Sequence, residues 1–253
     1  MNNIIRLRAV VLFLMIFLKG YSQQISNNTN VWLHYSGKNK FSEKLSFTLE
    51  ATMRYADGFS QKQQWFVRPS LDYQFSKSFI ASVGYTYYDT YVYGEIPMNK
   101  MTTPEHHVWL QGTFTHNLND LKFTHRLRDE NRFVGIATSN SQGELEIANY
   151  EYRNRLRYMF LLNHPLTKKE GKAKLFAVLG DEVFMNIGVK EAKTVVQQNR
   201  IIAGLGYNFN AHHQIQINYI HQNIWNLKNT LLEDNPTLRI SYITNFDWYK
   251  MKE

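Results

Sequence analysis

Leu45-Ser46-Phe47-Thr48-Leu49-Glu50-Ala51-Thr52-Met53-Arg54-Tyr55 alternates apolar and polar side chains without a slip. Period two places successive side chains on opposite faces of a strand, so this stretch is apolar on one face only. Phe79, Ala81, Val83, Tyr85 and Tyr87 oppose Ser78, Ser82, Gly84 and Thr86 in the same way. So do Ile215, Ile217 and Tyr219 against Gln214, Gln216 and Asn218, and Leu238, Ile240, Tyr242 and Phe246 against Arg239, Ser241 and Asn245. Such runs exceed the usual strand of a soluble sandwich, about five or six residues, and match the roughly 9–11 tilted residues that cross a bilayer.

The grammar repeats from about residue 30 to the end, and composition agrees with it. Aromatics make up 15% of the chain while mean hydropathy is −0.44, too polar for a bundle of membrane helices. A barrel reconciles the two, because only alternate residues meet lipid. The expected fold is all-β: a transmembrane antiparallel up-and-down barrel of about ten to twelve strands, with even counts favoured. Ten strands read clearly between 44 and 248, and a weaker one lies at Asn30 to Tyr35 within an N-terminal segment, 23–43. Short breaks, such as Phe41-Ser42-Glu43-Lys44 and Asn117-Leu118-Asn119-Asp120, alternate with longer polar stretches near 89–104, 134–149, 186–194 and 225–236 and a shorter one at 57–61. Short turns inside and long loops outside would put both chain ends in the periplasm. Tyr73, Phe75, Tyr87, Tyr88, Tyr158, Phe160, Tyr207, Phe209 and Trp248 are expected to form aromatic girdles.

Residues 1–22 carry the parts of an export signal: Arg6 and Arg8, the apolar run Ala9 to Leu18, then Gly20-Tyr21-Ser22 before Gln23. Cleavage is expected after Ser22, because the apolar core is shorter than a membrane-spanning helix. Losing Arg6, Arg8 and Lys19 would take the formal charge from +8 to +5. With no cysteine, a disulfide framework, a thiolate metal site and a lipidated N-terminal Cys are excluded. No basic run stands apart from the periodic segments, which argues against nucleic acid as a partner. The expected surroundings are outer-membrane lipid, with barrel-assembly machinery during biogenesis, and a monomer with no cofactor.

The polar faces hold the chemistry. If Leu121, Phe123 and Leu127 meet lipid, Lys122, Arg126, Arg128, Glu130 and Arg132 face the lumen, beside Glu151, Arg153, Arg155 and Arg157 on the next strand. Glu50, Arg54, Glu182, Arg200 and Arg239 extend this charge ladder. One reading is a basic constriction that favours anions. The other is a salt-bridged interior that fills a narrow barrel. An outer-membrane enzyme acting on lipid or envelope substrates is the alternative class. Its candidates, His106, His107, His116 and His125 with Glu105, and Ser139, Asn140 and Ser141, show no spacing that sets a nucleophile beside a base. The pairs His106-His107 and His212-His213 point to opposite faces of a strand and give no metal site.

Glu105-His106-His107-Val108-Trp109-Leu110 followed by Thr124-His125-Arg126-Leu127-Arg128-Asp129-Glu130-Asn131-Arg132-Phe133 resembles the DUF2490 domain, a family of outer-membrane proteins common in Bacteroidota. The pattern Arg-x-Arg-x-Glu-x-Arg is met by Arg126, Arg128, Glu130 and Arg132, and Tyr152 to Tyr158, Gly180 to Phe184, Asn199-Arg200 and Ala203 to Tyr207 extend the likeness over nearly all of the chain after the signal. The resemblance implies a β-barrel and assigns no biochemical role.

Overall fold

A computed structural model describes residues 23–249. The export signal expected at 1–22 lies outside the described residues. Eleven strands form the wall: β1 (Asn30–Lys40), β2 (Leu45–Ala56), β3 (Gln61–Gln74), β4 (Phe79–Thr90), β5 (Thr103–Leu118), β6 (Leu121–Ser139), β7 (Leu145–Pro165), β8 (Leu175–Ile187), β9 (Val196–Asn208), β10 (His213–Trp225) and β11 (Leu231–Asp247). Successive strands pair antiparallel, and β11 closes on β1 to complete the ring. Closure leaves no open edge to pair with other chains.

The seam departs from the expected topology. β11 and β1 pair in parallel, from Thr237 opposite Asn30 to Asp247 opposite Lys40. An odd count compels this, since the first and last strands of an up-and-down ring then run the same way. The segment 23–43 therefore supplies a full wall strand, and the even count does not hold.

A second correction follows from the same arithmetic. The short connections 41–44, 75–78, 119–120 and 209–212, with the longer 166–174, lie at the end where β11 finishes, and the connections 57–60, 91–102, 140–144, 188–195 and 226–230 lie where β1 begins. The chain ends accordingly leave from opposite rims. A short strand, Gln24–Asn27, pairs in parallel with Leu231–Asp234 at the loop rim, while Trp248 N–H donates to the Lys40 carbonyl at the turn rim. Pro236 stands opposite the two-residue gap between Asn27 and Asn30, where a missing N–H interrupts no ladder bond.

Two of the long polar stretches are mostly strand. β6 and β7 run for 19 and 21 residues, so their paired ends extend well past a bilayer's thickness. The short connection between β5 and β6 needs only Asn119 and Asp120, with Asn119 in the left-handed region at φ 53°, which asparagine tolerates.

Alternation sorts the faces. Met53, Leu71, Val83, Leu110, Leu127, Leu179, Ile201, Leu205, Ile217 and Leu238 are exposed on the outside. Aromatic pairs cluster at the turn rim, including Tyr73 with Phe75 at 4.8 Å, Tyr207 with Phe209 at 5.2 Å and Phe41 with Trp248 at 6.3 Å. Tyr88 is the exception among the expected girdle residues. It faces inward and is buried, packed on the His107 ring at 4.7 Å. The lumen also holds an apolar patch, Trp32, Ile202 and Ile220 with Leu161 against them. Ile201-Ile202 and Leu161-Leu162 break the alternation, because each puts an apolar side chain on both faces.

Candidate functional site: an arginine-lined vestibule

Position along the strands divides the cations by type. Arg54, Arg68, Arg126, Arg128, Arg132, Arg153, Arg155, Arg157, Arg200 and Arg239 all occupy lumen-facing positions, whereas the lysines gather at strand ends and in loops. The guanidinium fork suits this place, because it binds carboxylates bidentately, stacks on aromatic faces and is less strongly hydrated than an ammonium.

Four glutamates organise the arginines. Glu130, fully buried, accepts from Arg155 Nε at 2.8 Å and Nη2 at 2.5 Å and from Arg157 Nη1 at 2.6 Å, with Arg128 at 3.7 Å. Glu182 accepts from Arg157 Nη2 at 2.6 Å and Arg126 Nη2 at 2.5 Å, with Arg200 at 3.5 Å. Across the lumen, Glu50 accepts from Arg68 Nη1 at 2.8 Å. Nearer the loop rim, Glu105 accepts from Arg132 Nη2 at 2.7 Å and lies 2.9 Å from His107 Nε2. The sequence-derived ladder is thus several clusters rather than one file. Glu151 and Arg153 pair with each other at 2.7 Å toward the loop rim, and Lys122 is exposed near the turn rim.

Aromatic rings carry much of the rest. Trp32 lies between Arg54, 4.0 Å from its ring centroid, and Arg200, at 4.9 Å. Phe184 supports Arg157 at 4.2 Å and Arg200 at 4.6 Å, and Trp109 supports Arg128 at 4.3 Å. A ring face holds a guanidinium in place without neutralising it. Arg54 Nε, Arg126 Nε and Arg239 Nε are buried with no hydrogen-bond partner, as is His34 Nδ1. Arg239 makes no hydrogen bond and no ion pair among the described residues, and the acids whose charge it feels, Glu182 and Glu50, are held by other arginines.

These groups line a cavity of about 750 Å³ reaching the loop rim, where Met98, Asn99 and Lys100 of loop 91–102 join it. Tyr93 of that loop donates to Glu233 at 2.7 Å, fixing the loop over the mouth against β11. Nine arginines and two lysines line the cavity against three glutamates, Glu50, Glu105 and Glu182. Beneath it, lumen-facing Ser70, Ser82, Asn218 and Ser241 are buried.

Sequence reasoning missed Arg68, Glu105 and His107 as members of this cluster. Arg68 follows Trp65-Phe66-Val67, an apolar run that hides the alternation, yet it shares parity with Asp72. The enzyme candidates do not assemble. His106 faces outward and bonds the Tyr85 hydroxyl at 2.5 Å, His116 and His125 stack on the outer face at 5.5 Å, and Ser139, Asn140 and Ser141 lie at or in the loop joining β6 and β7. His107, the inward histidine of its strand, has Glu105 as its hydrogen-bond partner, and its Nδ1 is buried with no hydrogen bond to a hydroxyl or any other group. No group of three metal-ligating side chains occurs among the described residues.

A family model described as a protein of unknown function, DUF2490, matches residues 29–233, from the first wall strand into the last. The chain belongs to the DUF2490 family. The match contains every lumen arginine except Arg239, so the arginine vestibule lies almost wholly within the DUF2490 region. No curated protein matches the chain. Among solved structures, a NanC porin in a rhombohedral crystal form aligns over 81% of this chain and 93% of its own, with 8% identity and a TM-score of 0.45.

Proposed function

We propose that this DUF2490 barrel resides in the outer membrane and admits small anionic solutes through an arginine-lined vestibule that opens at the long-loop rim. The apolar outer face, strands long enough to cross a bilayer and the export signal read at 1–22 support the location. The function rests on one observation: eleven cations against three carboxylates line the cavity, and counting also Glu130 and Glu151, which pair with Arg155, Arg157 and Arg153 from outside the lining, leaves the cations in excess. A cleft of one sign within low-dielectric walls focuses its field and concentrates counter-ions, and arginine or lysine rings select anions in pores.

Proteoliposomes test the reading. A sugar acid should enter faster than an amino sugar of the same size, with the neutral sugar between them. Faster entry of the cation, or equal rates for all three, would overturn it.

Orientation has its own expected result. The chain has no cysteine, so single cysteines report cleanly. In intact cells an impermeant maleimide should label Gln23→Cys and Gln142→Cys, and should reach Asn119→Cys only after permeabilisation. Protection of Gln23→Cys together with Asn119→Cys would return both chain ends to the periplasmic side.

A further inference from the structure

The vestibule is not a uniformly charged hole. Along β6 toward the loop rim its lining changes from Arg126 and Arg132 to Val134 and Ile136, and along β10 from Gln222 to Ile224. Deeper, the apolar patch around Trp32 and Ile202 faces the cationic floor. A passage for inorganic ions alone has no use for such walls, because apolar surface contributes nothing to holding a hydrated ion.

We infer that the vestibule binds an amphiphilic organic anion, with a carboxylate or phosphate head on the arginine floor and an apolar or aromatic body along the upper wall. This rests on the anion reading above and gives it a substrate class. Three observations carry it. The floor keeps two guanidinium groups without a carboxylate of their own: among the described residues Arg239 makes no hydrogen bond and no ion pair, and Arg54 donates only to Gln64. An unpaired charge within low-dielectric walls is costly, and an anionic head would pair with it. The volume, about 750 Å³, lies in the range of sites for organic ligands. Every neighbouring pair of wall strands is hydrogen-bonded, so the ligand comes from the aqueous mouth and not sideways from the bilayer.

Calorimetry on the mature chain held in amphipol, with inorganic phosphate, phenyl phosphate and benzyl alcohol as probes, tests the inference. Phenyl phosphate should bind at least about tenfold tighter than inorganic phosphate, since burying a ring adds hydrophobic affinity, and benzyl alcohol should not bind measurably. Ile136→Ser with Ile224→Ser, both half-exposed at the mouth, should erase the advantage of the phenyl group and leave phosphate binding intact. Arg239→Gln should weaken both anions. Equal affinity for the two phosphates, binding of benzyl alcohol as tight as that of phenyl phosphate, or no binding at all would overturn the inference. Charge-selective uptake without a preference for phenyl phosphate would sink this inference alone. Tight binding of phenyl phosphate without uptake would sink the transport reading and leave the site standing.

Discussion

Glu130→Gln should destabilise the folded barrel by about 3 kcal/mol, the lower end of the cost of breaking a buried ion pair. Glu130 is fully buried and accepts three hydrogen bonds from Arg155 and Arg157. The amide keeps an acceptor but removes the charge. Arg157 would retain Glu182, while Arg155 would be left with the Gln197 carbonyl oxygen at 3.3 Å. Urea titration of the protein refolded into vesicles reads the change as a lowered midpoint. An unchanged midpoint would mean that the cluster is solvated and contributes little to the fold.

Arg239→Gln should do the reverse, leaving stability nearly untouched while reducing selectivity. Arg239 has no ion-pair partner to strand, and its Nε is an unsatisfied buried donor. Two unit charges about 4 Å apart interact by about 1 kcal/mol in water and more within a protein mouth. The anion-to-cation permeability ratio should therefore fall about fivefold or more. A lost fold with unchanged selectivity in any surviving channel would assign Arg239 to packing instead. Together the two variants separate arginines that hold the wall from those that serve the solute.

Most of the barrel was legible because alternation is a strong signal where one face is apolar throughout, as in Leu45 to Tyr55. The seam was not. Asn30 to Lys40 contains Ser36-Gly37-Lys38-Asn39-Lys40, polar on both faces, and its place in the wall depends on pairing with β11, distant in sequence. Parity placed Arg126, Arg128, Glu130 and Arg132 on the lumen side, but not their partners. Glu182 joins Arg126 and Arg157 only through the order of strands and the reach of long side chains. The apolar half of the vestibule was hidden for a related reason, since Ile201-Ile202 reads as a lapse in the pattern until the lumen is seen to have an apolar wall.

The reversal potential of the wild-type barrel in a planar bilayer under a potassium chloride gradient addresses the central claim most directly. The excess of arginine over glutamate in the vestibule predicts a potential displaced toward the chloride equilibrium value and diminished by raising salt, which screens the charges. A potential displaced toward the potassium value, or the absence of any conductance, would contradict it.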